Sequence, residues 1–162
     1  MVIPSSEETA APAFTLPLQN EDGVLSTFMK NVNSFMAVNH KSDDLNVNAT
    51  WYAAGGYGVF LDDEGYSDVI WVSFIDENYT SIAEGSPDAA YVIIQMYALA
   101  ENASVFAECM PFVIEANDPS LDYSMAQLIA EECISSSNFS NEHAAYYYYE
   151  SDGYVHFIIV SS

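Results

Sequence analysis

The sequence predicts an α+β fold, an antiparallel sheet with helices packed on one face. Three observations carry this. Apolar residues recur at helical spacing in Leu25–Met36. β-branched and aromatic residues crowd Asp68–Ile75 and Tyr154–Val160. Polar turn sequences, Asp62-Asp63-Glu64-Gly65 and Ser151-Asp152-Gly153, precede those two runs and mark hairpins.

The elements follow in order. Residues 1–12 read as a flexible N-terminal linker, since Ser5–Ala13 is polar and proline-bearing, and residues 13–162 as one α+β domain. Ala13–Leu18 is a first strand, with Pro17 marking an edge or strand end. Asn20-Glu21-Asp22-Gly23 turns into a helix whose apolar face is Leu25, Phe28, Met29, Val32, Phe35 and Met36. Ala49–Leu61 is read as one strand, bent or bulged at Gly55-Gly56 and Gly58, and Asp68–Ile75 returns beside it. Ser86-Pro87-Asp88 has the residues of a helix start, so a helix is predicted from Ser86 to Cys109, stopped by Pro111. Phe112–Ala116 is a short strand, and Asn117–Ser120 a turn into the helix Leu121–Ser135. Ala144–Glu150 and Tyr154–Val160 close the chain as a hairpin about Asp152-Gly153. The order suggests two β-α-β-β halves joined by a central helix.

The last hairpin fixes its own register. With Asp152-Gly153 central in the turn, Tyr149 faces His156 and Tyr147 faces Ile158, with Tyr154 on the same side. Tyr146, Tyr148, Phe157 and Ile159 fall on the opposite side. Both sides are apolar or aromatic, which predicts a place inside the sheet. One side meets the helices; the other is either core or an aromatic surface for a ligand.

Charge excludes several functions. The chain of 162 residues carries 24 acidic side chains, two lysines (Lys30 and Lys41) and no arginine, a net charge of −22. From Ser42 onward there are 20 acidic residues and no lysine or arginine. Phosphate backbones are bound through Lys and Arg, so nucleic acid is excluded as a direct partner, and anionic lipid is repelled. Phosphoryl transfer lacks its positive clamp. No apolar run reaches the ~20 residues that span a bilayer, so no membrane insertion is expected.

Catalytic signatures are missing in the same way. Neither cysteine has a nucleophile motif, and Glu131-Glu132 beside Cys133 disfavours a thiolate. His40, His143 and His156 lack zinc-ligand spacing. Asp62, Asp63, Glu64 and Asp68 form an oxygen-rich turn that suits Ca²⁺, without the spaced ligands of a calcium-binding loop; a solvated turn is the competing reading. Cys109 and Cys133 are either a disulfide or two buried thiols. Four Asn-x-Ser/Thr triplets, at Asn48, Asn78, Asn102 and Asn138, lean towards an exported protein.

Three functional readings remain. The first is an exported, acidic, non-enzymatic binding or interaction domain. Its protein partner or small neutral ligand, such as a sugar, meets an aromatic sheet face formed by Trp51, Tyr57, Trp71, Tyr147, Tyr149 and His156. The second is an acidic inhibitor or chaperone of a basic protein. The third is a hydrolase using a carboxylate pair.

Overall fold

The computed structural model describes residues 23–39, 47–52, 56–62, 67–82 and 90–162. The predicted linker 1–12 and strand Ala13–Leu18 lie outside the described residues, as do Asp63 and Glu64.

Helix α1 (Val24–Val38) forms where the apolar spacing requires it, burying Leu25, Phe28, Met29, Val32 and Met36 along one stripe. Three strands follow: β1 (Val47–Tyr52), β2 (Tyr57–Asp62) and β3 (Asp68–Ile75). Then come β4 (Ile93–Leu99), a single 3₁₀ turn (Ala100–Asn102), α2 (Ala103–Asn117) and α3 (Tyr123–Ser136). The chain ends with β5 (Asn138–Ser140), β6 (Ala144–Ser151) and β7 (Tyr154–Ser161). All seven described strands pair antiparallel in the order β1-β2-β3-β4-β7-β6-β5. The α+β class and the single antiparallel sheet are therefore as the sequence indicates.

The interior of the chain differs from the sequence reading. The predicted helix Ser86–Cys109 is replaced, over its described part, by strand β4, with α2 starting only at Ala103. The reason is in the residues: Ile94, Met96 and Ala98 are buried while Ile93, Gln95 and Tyr97 between them are half-exposed, a period of two. Pro111 does not stop a helix but sits inside α2, buried, and the predicted strand Phe112–Ala116 is the second half of that helix. The proline forgoes one helical hydrogen bond. Tertiary burial of Phe112, Val113 and Ile114 around it offsets the loss. The described halves are thus a helix followed by a three-stranded meander each, α1-β1-β2-β3 and α3-β5-β6-β7, and strand β4 followed by helix α2 joins them rather than a helix alone. β4 pairs with the last strand of both, β3 and β7.

The segment Ala49–Leu61 is two strands, not one. Its glycine-rich middle reverses the chain, with Gly56 at φ 70 and Gly56 N–H donating to Tyr52 O at 2.9 Å. At the other end of the sheet the Asp152-Gly153 hairpin has the expected register, Tyr149 opposite His156 and Tyr147 opposite Ile158. Both central turn residues have positive φ, 55 at Asp152 and 82 at Gly153, the geometry a two-residue hairpin demands.

The described helices pack on one face. The main core joins Leu25, Met29, Phe106, Phe112, Val113, Ile129 and Cys133 from the helices to Trp51, Phe60, Val72, Phe74, Met96, Tyr146 and Phe157 from the strands. No described helix covers the other face. Gly58 sets the fit on the helix side: a Cβ there would lie 2.6 Å from the Met29 sulfur. Gly58→Ala should therefore destabilise by about 1–3 kcal/mol through overpacking, read from the midpoint of urea unfolding with an unchanged slope.

Candidate functional site

Residue pairing across the strands assembles an aromatic row on the helix-free face. Val59 lies opposite Trp71, Trp71 opposite Tyr97, Tyr97 opposite His156, and His156 opposite Tyr149. The row runs across β2, β3, β4, β7 and β6. Its rings touch in sequence: Trp71 and Tyr97 stack with centroids 5.5 Å apart, Tyr97 and His156 at 6.2 Å, and His156 and Tyr149 at 4.5 Å. Tyr154 leans on both Tyr97 and His156 at 6.3 Å. A separation of 4.5 Å with 9° between planes is too short for rings lying side by side, so Tyr149 and His156 stand face to face. The pleat places all of them on one side because each strand contributes alternate residues.

Two irregularities shape the end of the row at β2. Tyr57 packs edge-on against Tyr52 at 5.3 Å, and both cover a small apolar cluster of Val59 and Leu61. The β2–β3 pairing runs Val59–Trp71, Phe60–Ile70, then jumps to Leu61–Asp68. Val69 is the extra residue of a β-bulge there. In regular pairing Leu61 would face Val69, and Asp68 would turn to the helix side. The bulge instead brings Asp68 to the aromatic face. Its Oδ2 accepts from Trp71 Nε1 at 3.1 Å and from the Tyr57 hydroxyl at 3.4 Å. Burial, reinforced by the Asp68 charge and by Tyr52, pushes the Tyr57 phenol up to about 12, so it remains a donor. Burial and then Tyr154 raise Tyr97 as well.

The six predicted ligand-binding residues divide. Tyr57, Trp71, Tyr147, Tyr149 and His156 share the helix-free face. Trp51 does not: it is 1 % exposed on the helix side and tilts against Phe74 at 6.0 Å. The cause is parity. Positions 51 and 57 would share a face in one continuous strand, but the hairpin between β1 and β2 resets the alternation and sets Trp51 opposite Gly58. Tyr147 stands beside the row, opposite Ile158 and 44 % exposed. Tyr97 is the member that sequence reasoning missed, because its strand was read as a helix. The alternation of Ile93, Gln95 and Tyr97 with buried neighbours was the signal.

The acidic-turn residues are only partly described. Asp68 is engaged by ring donors, while Asp62 closes the turn, its N–H donating to Ser67 O at 3.0 Å. Among the described residues no three His, Cys, Asp or Glu side chains converge on a metal-sized site. Cys109 and Cys133 are both buried, on α2 and α3, as thiols. Burial pushes Cys133 up to about 11. Both should react slowly with a thiol reagent at pH 8 and quickly once the protein is unfolded; fast labelling of Cys133 in the folded protein would contradict its burial.

A second polar cluster lies where the helices meet the last strands. Asp118, buried at the end of α2, accepts from Ser120 Oγ at 2.6 Å and Ser120 N at 3.2 Å through Oδ1. Its Oδ2 lies 2.7 Å from His143 Nδ1. Asn141 holds that loop by accepting from His143 N at 2.8 Å and Ala144 N at 2.9 Å. Ser120 donates to the carboxylate and not to the imidazole, so the trio is a clasp between two loops rather than a nucleophile relay. Burial raises the Asp118 carboxyl, but bonds from Ser120 and His143 outweigh it and leave it lowered. The Asp118 bond and charge raise His143.

The signs give a pH window. A raised histidine stabilises fully below its unfolded value, about 6.5, and loses this as pH rises through its folded value. A lowered aspartate stabilises above about 3.9 and loses this as pH falls through its folded value. The stability gap between wild type and His143→Gln should therefore be widest near pH 5 and shrink at higher pH, by thermal unfolding at each pH. A gap that does not change between pH 5 and 9 would show that the clasp is not ionic.

No family model, curated protein or solved structure matches the chain.

Proposed function

We propose that the protein is an exported, non-enzymatic binding domain whose ligand meets the helix-free aromatic face. One observation carries the reading: Trp71, Tyr97, His156 and Tyr149 occupy one register row across four neighbouring strands, on the side that no described helix covers. Cross-strand aromatic pairs stabilise a sheet by about 0.2–1 kcal/mol each, so stability alone accounts for part of such a row. It does not account for leaving its rim wet: Tyr147 is 44 % exposed and Tyr149 42 %. Rigid rings with hydroxyl tips offer wide contact at low entropic cost.

The row has a usable shape. β5 pairs only with Ala145–Tyr147 of β6, so among the described residues no strand lies beside Tyr149. That leaves the outer face of its ring for stacking. Beside the row, one same-face register pair along, Ser73 and Gln95 lie opposite each other and offer hydrogen bonds. Export is supported by the four glycosylation triplets, of which Asn48, Asn78 and Asn138 are exposed.

The test uses the two tryptophans. Trp51 is buried and Trp71 half-exposed, so a Trp51→Phe protein reports on Trp71 alone. Arrays of neutral oligosaccharides and of peptides, probed with wild type and with a Trp71→Ala/Tyr149→Ala protein, should give hits that the double variant loses. Both substitutions lie outside the main core, and the variant should keep its fold by circular dichroism. Hits that persist in the folded variant, or arrays without hits, would overturn the reading.

A further inference from the structure

Granting that the aromatic face is a binding surface, we propose that its occupant is an extended basic segment of a partner protein, with a Lys or Arg side chain paired to Asp68 and lying against Trp71 and Tyr97. The bulge is the first reason. One extra residue in β3 turns a carboxylate onto the aromatic face, beside Trp71 and Tyr57. Two ring donors then fix that carboxylate through Oδ2, at 3.1 and 3.4 Å, which leaves Oδ1 to accept from an incoming cation. A carboxylate held at the margin of stacked rings is the combination that binds guanidinium or ammonium. The charge is neutralised by the acid, and the hydrophobic body of the side chain covers the rings.

Charge complementarity is the second reason. Among the described residues, no lysine or arginine lies on this face. No Lys or Arg occurs after Ser42, and Lys30 belongs to α1, which packs on the opposite side of the sheet. A net charge of −22 repels a second copy of the chain, a nucleic acid and an anionic membrane, and attracts a basic polypeptide. A neutral sugar remains the rival occupant. Its hydroxyls would use Asp68 as a hydrogen-bond acceptor alone, whereas a Lys or Arg meets that carboxylate with a full opposite charge.

Calorimetry and Trp71 emission with four probes decide the matter: short repeating Arg-Ser, Gln-Ser and Glu-Ser peptides, and a neutral oligosaccharide. Diffuse attraction to an acidic protein is controlled by Glu77→Gln, which removes one exposed charge remote from the rings. The Arg-Ser peptide should bind, and Asp68→Asn and Trp71→Ala should each weaken it by about tenfold, with Glu77→Gln close to wild type. The loss in Trp71→Ala should persist at about 1 M NaCl, where charge attraction, that of exposed Asp68 included, is screened. Equal losses in Asp68→Asn and Glu77→Gln, with none in Trp71→Ala, would reduce the effect to general charge and overturn the proposal. Binding of the Gln-Ser peptide or the oligosaccharide in place of Arg-Ser, still lost in Trp71→Ala, would overturn the basic occupant and leave the binding face standing. Silence from all four probes overturns this proposal, and the arrays described above then decide whether the face binds anything.

Discussion

The structure depends on the alternation of side chains along β4. This strand sits in the middle of the sheet and pairs with the last strand of each meander, β3 on one side and β7 on the other. Ile94, Met96 and Ala98 point to the helices and are at most 1 % exposed. They continue in register into Val72 and Phe74 on one side and Phe157 and Ile159 on the other. A one-residue slip of β4 would expose this set and bury Gln95 and Tyr97. The same alternation that builds the core therefore lines Trp71, Tyr97 and His156 up on the far face. Core and candidate site are two readings of one register, and neither can shift without the other.

Departures from that register are few, and they gather around Trp71. The bulge at Val69 reverses which side Asp68 takes. The hairpin between β1 and β2 reverses which side Trp51 takes relative to Tyr57. Two tryptophans from adjacent segments thereby receive opposite fates, one sealed against Phe74 and the other half-exposed beside a carboxylate. Nothing in residue type separates them; backbone irregularity does.

That explains which parts of the molecule were legible in the sequence. The final hairpin was readable to the residue, because Asp-Gly between two β-rich runs fixes turn and register together. Helix α1 was readable from apolar spacing, and α3 from the Asn117–Ser120 turn before it, within a residue or two. β4 was not, because Ser86-Pro87-Asp88 is a strong local helix signal and the apolar run after it fits either period when read loosely. α2 was misread for the converse reason: Pro111 is a strong local stop, and burial of the residues after it overrode that signal. The five site residues on the helix-free face were legible because each lies on a correctly read strand or, for Tyr57, beyond the misread turn. Trp51 and Tyr97 needed pairing that local residue patterns do not carry. The clasp of Asp118 and His143 joins two loops 25 positions apart, and no local pattern announces it.

The two unusual features of the chain, its charge and its aromatic row, bear on each other through the solvent. Like charges spread over a surface keep molecules apart. A wet aromatic row on an open sheet face invites association with another copy. In a neutral protein the row would be a liability; at −22 the repulsion between copies offsets it, while the attraction for cations grows. Under the proposed function, the acidity would act as a filter on the aromatic face, disfavouring the chain's own copies and anionic polymers relative to neutral or basic ligands. The bulge that sets Asp68 beside Trp71 puts one fixed element of that filter within hydrogen-bonding distance of the rings.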